Sequence, residues 1–303
     1  MEGVSAGRGS IPQRTGAMVA DRGLLAAMPA YLPTGGLAAK LVSLFPGNAG
    51  GPLPTHQAVV VVFDADSGLP VALMDGTSIT ALRTAAGSAL SAELLAREDA
   101  TTLAILGTGV QARAHAQAMV RVRPIQRIRV AGRNREHAAS LCSALRESLG
   151  ITVEVVDTYA AACADADLIC AATHSPDPVV CRDYLRPGVH VTSVGYNPAG
   201  REVDSATVVD AVVVVESREA VLAPPPAGSN DLRTPIQQGL IGPEHIEAEV
   251  GELLLGTKVG RSSPAQITLY KSVGIAAQDL AAAHLALTAA RKQNLGFEVD
   301  LSA

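Results

Sequence analysis

The stretch 101–119, TTLAILGTGVQARAHAQAM, decides the fold. An apolar run, Leu103 to Leu106, gives way to Gly107-Thr108-Gly109 and then to a helix-like segment from Val110. Gly107, Gly109 and Ala112 fall at the G-x-G-x-x-A spacing of a strand–turn–helix unit. Small residues there permit a tight turn and a close approach of backbone to a pyrophosphate, whose charge sits on the helix N-terminus. Thr108, Val110 and Gln111 complete the expected cofactor turn. The bland alternative is a glycine-rich turn with no ligand.

Outward from this turn, short apolar runs alternate with helix-like stretches: RIRVAG, TVEVV, DLICAAT, HVTSVG and AVVVVE. Near-continuous Val, Ile, Leu and Ala is the pattern of parallel strands buried on both faces. The fold class is therefore α/β, a Rossmann doubly wound parallel sheet joined to a discontinuous α+β domain. The expected division is 1–97 for the first part of the α+β domain, 98–273 for the dinucleotide-binding domain, and 274–303 for a C-terminal helix returning to the first domain. Gly296 is the expected stop of that helix. Residues 1–36 show no firm period and read as an arm or irregular start. Leu37–Phe45, Ala58–Phe63 and Val71–Met74, with the turn DADSG, read as a hairpin-bearing sheet. A helix follows from about Ala81, with Thr80 as its expected N-cap. The segment 245–256, HIEAEVGELLLG, reads as an amphipathic helix with Ile246, Val250, Leu253 and Leu254 inward.

The second strand of the nucleotide-binding half ends VAGRNREH, where an NAD site places an acid for the ribose 2′-hydroxyl. Arg133, Asn134 and Arg135 stand there instead. An arginine fork suits a 2′-phosphate and a carboxylate repels it. The expected cofactor is NADP(H), with NAD(H) second; an exposed loop arginine is the alternative. Thr84 and Thr173 are further expected cofactor contacts. Gly195, at the carboxyl end of a strand in VGYNPAGREVD (194–204), is expected to let backbone approach the nicotinamide. Tyr196 is a candidate wall of the same loop, and Pro198 stiffens its exit.

Two cations occupy uncomfortable places. Lys40, in LAAKLVSLF, shares a strand face with Ala38, Val42 and Leu44 and needs an anion or a route to water. Arg83 falls in the first turn of its expected helix, where the macrodipole disfavours a cation. A bound carboxylate reconciles both, and Arg14, in PQRTG, joins them; snorkelling or structural ion pairs stay open for each alone. His56 reads as a hydrogen-bonded structural histidine.

Composition excludes several classes. The 303 residues are 48% apolar, with formal net charge −5, 3% aromatics and no tryptophan, and the pI is near 5.8. Scattered Lys and Arg leave no footprint for nucleic acid or an anionic membrane. No run reaches the ~18 apolar residues of a membrane span, and the first residues lack the apolar core of a signal peptide. Cys142, Cys163, Cys170 and Cys181 form no C-x-x-C pair or metal-ligand spacing. Reduced buried thiols, a cytoplasmic location and no metal are expected.

Several stretches together resemble the ornithine cyclodeaminase/mu-crystallin family: KLVSLFPGN, DADSGLPVALMDGTSITALRTAA, LGTGVQARAH, VGYNPAGREVD, VGELLLGTKVGR and GIAAQDLAAA. The resemblance covers roughly residues 10–290. It implies that the discontinuous α+β domain is a substrate and dimerisation domain, that the protein is a homodimer, and that a substrate carboxylate is held by two arginines and a lysine, which map onto Arg14, Lys40 and Arg83. It also implies hydride transfer between a nicotinamide and the α-carbon of an amino or imino acid. Two departures stand out. Cyclodeaminases of the family carry an aspartate where Asn197 stands, and an asparagine is no general base near neutral pH. The chain is also expected to begin late and to lack the helix that usually precedes PQR.

The expectation is an NADPH-dependent reductase of 2-imino acids, a ketimine or a cyclic imine such as 1-pyrroline- or 1-piperideine-2-carboxylate. Lys40 and Asn197 are its candidate catalytic residues. The alternatives are an ornithine cyclodeaminase or alanine-type amino-acid dehydrogenase using NAD(P), and, in another class, a non-catalytic protein that binds NADPH and a small acid.

Overall fold

The computed structural model describes residues 1–225 and 227–300. The chain divides into two compact units, one of Met1–Gly7 with Thr84–Ile275, the other of Arg8–Arg83 with Ala276–Ala303.

The larger unit is an eight-stranded parallel sheet. It uses β6 (Thr102–Leu106), β7 (Arg127–Ala131), β8 (Thr152–Val155), β9 (Leu168–Ala171), β10 (His190–Ser193), β11 (Val212–Val215), β12 (Ile246–Glu249) and β13 (Thr268–Lys271), in the order β12-β11-β13-β10-β9-β6-β7-β8. The order reverses at β6 and β9, the switch point at which open α/β sheets bind ligands. Leu103, Ile105 and Leu106 are completely buried, and full burial of each such side chain contributes ~1.5–3 kcal/mol. Covering helices include α3 (Val110–Val122), α4 (Arg135–Leu149), α5 (Tyr159–Cys163), α6 (Ser205–Asp210), α7 (Arg218–Leu222), α8 (Asn230–Gln237) and α9 (Val250–Leu254). Near the N-terminus α1 (Glu2–Ser5) lies against α9, with Ser5 Oγ donating to Glu249 at 2.7 Å.

The smaller unit is an antiparallel meander, β1 (Thr15–Val19), β2 (Gly23–Leu32), β3 (Gly36–Leu44), β4 (His56–Phe63) and β5 (Pro70–Asp75), in sequence order. α10 (Ala276–Gln293) packs on β2, β3 and β4. The face carrying Ala26, Met28, Ala38, Lys40, Val42, Val60 and Val62 is buried. The opposite face presents Leu25, Tyr31, Leu41, Val59 and Leu73, all exposed.

The structure departs from the sequence reading in six places. Residues 15–32, expected irregular, form β1 and β2. The helix expected from Ala81 is α2 (Gly76–Leu95), five residues longer at its start. Asp75 caps it by accepting from Thr77 N and Ser78 N at 2.9 and 3.1 Å. Thr80 instead donates back to Gly76 O at 2.7 Å. Arg83 therefore lies well inside the helix, and the macrodipole argument for it falls away. The unit boundary lies within α2, between 83 and 84, and not at 97/98. The physical reason is that the later turns of α2 bury Ala92 and Leu95 and tie Ser88 and Ser91 to His115 and His190. Residues 245–256 are not one helix: Ile246–Glu249 is a strand with Ala248 inward, and Leu254 is exposed. β13 was not foreseen at all. α10 ends at Gln293, ahead of the expected stop at Gly296, and Asn294 takes the left-handed conformation at φ 52°.

Among the described residues no helix is long and apolar enough to cross a membrane. The four cysteines are free thiols, and burial pushes Cys163 and Cys170 up to about 12.

Candidate active site

The turn from Gly107 to Gly109 joins a strand to a helix. β6 ends at Leu106 and α3 begins at Val110, with Gly109 as an N-cap that has no side chain to satisfy the first-turn N–H groups. Gly107 adopts φ +116°, and a Cβ there would lie 2.5 Å from Ala172 O. Nothing stands within 4 Å of the Cβ position at Gly109, and Val110 is exposed. Ala112 is fully buried. Open space before uncapped N–H groups at a helix start fits a pyrophosphate. Gln111 accepts at its carbonyl from His115 Nδ1 at 2.7 Å, so His115 Nε2 accepts from Ser88 Oγ at 2.9 Å. Burial pushes His115 down to about 4.

At the end of β7, Arg133 is exposed and Asn134 is not free for a ligand with its carbonyl, because Oδ1 caps α4 through His137 N at 2.9 Å. The ion pair at this strand end joins Arg135 to Asp157 and leaves Arg133 in solvent. Thr108 packs against Gly132: a Cβ on that glycine would come within 2.5 Å of Thr108 Cγ2. Thr84 is buried within α2.

The loops after β9 and β10 are held by a buried ionic network that the sequence reading missed. Glu202 accepts from Thr173 N at 2.6 Å, Ser193 Oγ at 2.7 Å and Gly195 N at 2.8 Å. Lys271, 1% exposed, donates to Ser193 Oγ at 3.0 Å and Gly195 O at 2.8 Å and pairs with Asp231 at 2.9 Å. Asp231 also accepts from Glu202 N, Val203 N and Ser229 Oγ at 2.8, 2.7 and 2.9 Å. Burial alone would raise the Asp231 carboxyl, but Lys271 and these donors hold it below the usual carboxylate range. A Cβ on Gly195 would lie 2.4 Å from both Glu202 Oε1 and Thr173 O, so only glycine fits. Thr173 and Gly195 are thus fixed at the strand ends by one carboxylate.

Asn197 shapes its own loop. Nδ2 donates to His174 O at 3.0 Å and Oδ1 accepts from Ala199 N at 2.9 Å. That bonding fixes the amide orientation, leaving a second N–H on Nδ2 and one lone pair on Oδ1. Asn230 donates to the carbonyls of Asn197, Pro198 and Gly200 at 3.1–3.2 Å, while Tyr196 is half-buried.

In the smaller unit the expected cations come together. Lys40, 2% exposed, has Nζ 2.8 Å from Asp279 Oδ2, and Arg83 Nε donates to Asp279 Oδ1 at 2.9 Å. Arg83 Nη1 donates to Gln278 Oε1 at 3.0 Å. Thr80 Oγ1 is 3.5 Å from Lys40 Nζ. Burial pushes the Lys40 ammonium down to about 8, helped by Arg83 and Arg14 and opposed by Asp279. Arg14 is half-buried and close enough to bias that titration. His56, half-buried, is pushed down by burial and by Lys40 and Arg83. With each group charged, Lys40 and Arg83 against the single carboxylate of Asp279 leave one positive charge in surplus, a standing invitation to an anion.

Asp279, Glu202, Asp231 and Lys271 escaped the sequence reading. The signal available for Asp279 was a carboxylate in an Ala-rich helix with few other charges; for Lys271 it was a lysine closing the apolar run ITLY.

These features match known proteins. Mouse ketimine reductase mu-crystallin is 36% identical over 277 residues, 90% of this chain and 83% of that protein. The structure of Thermococcus litoralis Delta(1)-pyrroline-2-carboxylate reductase in complex with NADH and L-proline superposes with TM-score 0.94 at 37% identity, covering 98% of this chain and 92% of that one. An archaeal alanine dehydrogenase dimer with bound NAD superposes with TM-score 0.91 at 30% identity, covering 99% and 91%. The ornithine cyclodeaminase/mu-crystallin family model matches residues 2–294, and the chain belongs to that family.

Proposed function

We propose that this chain is an NADPH-dependent reductase of 2-imino acids, either a ketimine or a cyclic imine such as 1-pyrroline- or 1-piperideine-2-carboxylate. Within its family it is an oxidoreductase of imino and amino acids that uses a nicotinamide cofactor. The observation that carries the finer reading is the buried Lys40–Asp279–Arg83 cluster, whose surplus positive charge calls for a small carboxylate.

When bound, the cofactor supplies a hydride to the imine α-carbon. Gly107, Thr108, Gly109, Val110 and Gln111 would hold its pyrophosphate, with Thr84, Thr173 and Gly195 as further contacts. Arg14, Arg83 and Lys40 bind the substrate carboxylate, which fixes the α-carbon in one orientation. Reduction of a neutral imine needs one proton at nitrogen. Lys40, with its ammonium held near 8, has an acidity suited to giving that proton near neutral pH. Asn197 has a spare N–H on Nδ2, which suits a neutral imine nitrogen, an acceptor. A cyclodeaminase asks more of this position, because proton removal from an amine needs a base. Arg133, exposed at the end of β7 and in no ion pair among the described residues, supports NADPH over NADH.

We also infer a homodimer through the open face of the β1–β5 sheet. Leu25, Tyr31, Leu41, Val59 and Leu73 form an apolar surface of the kind that marks association. Leu41→Glu should convert a dimer to monomers in light scattering.

The decisive test is turnover. Purified protein should oxidise NADPH with 1-pyrroline- or 1-piperideine-2-carboxylate, and more slowly with NADH. Release of proline from ornithine with NAD, without imine reduction, would instead identify a cyclodeaminase. Tight NADPH binding with no turnover across the panel would identify a binding protein.

A further inference from the structure

Asp279 stands where two cations of the carboxylate set meet. Its two oxygens lie 2.8 Å from Lys40 Nζ and 2.9 Å from Arg83 Nε, and its side chain is 2% exposed. The three residues come from β3, α2 and α10, and the residue before Asp279, Gln278, takes a second arginine N–H. The atoms used matter. Asp279 and Gln278 engage Arg83 through Nε and Nη1, which leaves the Nη2 edge for another acceptor. The Lys40 ammonium has three N–H groups; it pairs with Asp279 Oδ2 and directs one N–H at Thr80 Oγ1 at 3.5 Å.

We propose that Asp279 is a positioning residue: it gathers the Lys40 ammonium and the Arg83 guanidinium on one carboxylate, so that both turn their remaining N–H groups to the incoming acid. This rests on the imino-acid reading above. Asp279 also decides how much charge Lys40 carries before the substrate arrives. The groups facing Lys40 are Arg83 from α2, Asp279 from α10, Arg14 ahead of β1 and His56 from β4; its cross-strand partners, Met28 and Val60, are apolar. Asp279 is the one anion among them. Removing its charge leaves burial and the arginines unopposed, so Lys40 should lose its proton at lower pH.

The test is the pH dependence of kcat/KM for 1-pyrroline-2-carboxylate in the wild type, Asp279→Asn and Asp279→Glu, alongside L-proline binding by calorimetry and a thermal melt. The wild type should lose activity as Lys40 deprotonates. In Asp279→Asn that limb should move about one pH unit or more to the acid side, with kcat/KM down roughly fivefold or more at pH 8. Asp279→Glu should restore the limb. An unmoved limb in a folded Asp279→Asn protein overturns the proposal. If Asp279→Asn does not fold, Asp279→Glu decides: it should keep the limb and raise KM, and a displaced limb or an unaltered KM overturns the role. Wild-type protein that neither reduces an imine nor binds L-proline overturns the functional reading and this role with it. Wild-type turnover with an unmoved limb overturns the role alone.

Discussion

Two buried lysines serve opposite ends in this molecule. Lys271 sits among Asp231, Ser193 and the carbonyl of Gly195, next to a second carboxylate, Glu202, that is itself filled by two backbone N–H groups and a hydroxyl. Lys40 sits beside one carboxylate that it shares with Arg83, and Arg14 stands near. The first cluster is closed, with every strong donor and acceptor matched inside the protein. The second is left short of an anion. The difference teaches that burial alone does not tell a structural ion pair from a candidate binding site; whether the donors and acceptors around it are all matched inside the protein does.

The largest effect that can break this comparison is on stability. Lys271→Met leaves Asp231 buried without its cation, and removing one partner of a buried pair costs ~3–5 kcal/mol. Urea melts should show that loss, and turnover should fall as the loops bearing Thr173 and Gly195 loosen. A loss below about 1 kcal/mol would mean the backbone donors to Asp231 already suffice, and the closed cluster would lose its keystone.

Lys40→Met should behave the other way. Asp279 keeps Arg83, and the cluster loses surplus positive charge, so stability should change by no more than ~1 kcal/mol. Activity should fall ~10²–10³-fold in kcat/KM, the size of a missing general acid. Steady-state rates with 1-pyrroline-2-carboxylate check this. Severe unfolding with no separate kinetic loss would place Lys40 in the structural class with Lys271.

How much of this was legible in the sequence follows the same division. The dinucleotide turn was legible because its residues are contiguous: a strand, two glycines and a buried Ala112 obey a local spacing rule. Lys40 was legible because a cation on an apolar strand face breaks a period of two. Its partner was not. Asp279 lies far along the chain in a helix so rich in alanine that its buried side shows little contrast, and only the packing of α10 on β3 brings the two together. β12 and β13 were illegible for a related reason. IEAE alternates with glutamates and reads equally well as a helix face, while TLYK opens and closes with polar residues. Those polar ends are satisfied at long range, Thr268 by His190 and Lys271 by Asp231. Arg83 drew notice by a wrong route: the macrodipole argument depended on Thr80 as N-cap, whereas Asp75 caps the helix a turn earlier.

Arg133 belongs to neither cluster, since its guanidinium is in solvent. Its effect should be correspondingly smaller and confined to the cofactor. Arg133→Asp should weaken NADPH binding ~10–100-fold, the range of one or two lost charge-assisted hydrogen bonds, while NADH binding changes little. Fluorescence titration with both cofactors measures it. Equal losses for the two would remove the 2′-phosphate from this position.

The smallest effect reads the shortage of anion from stability alone. In the folded chain Lys40 holds its proton only to about 8, and in the unfolded chain to ~10.4. Between these values the unfolded state binds one more proton at this position, so stability rises with pH across the window. The buried ammonium is a cost in full below pH 8 that is relieved as the pH climbs. Lys40→Met carries no such cost. The unfolding free energy of the wild type relative to Lys40→Met should therefore climb by roughly 1–3 kcal/mol between about pH 8 and pH 10, measured by urea melts. L-proline at saturation should flatten the climb, because a bound carboxylate supplies the missing anion and lets Lys40 stay charged. A difference already flat without ligand would make the surroundings of Lys40 as fully compensated as the closed cluster, and the contrast between the two lysines would disappear.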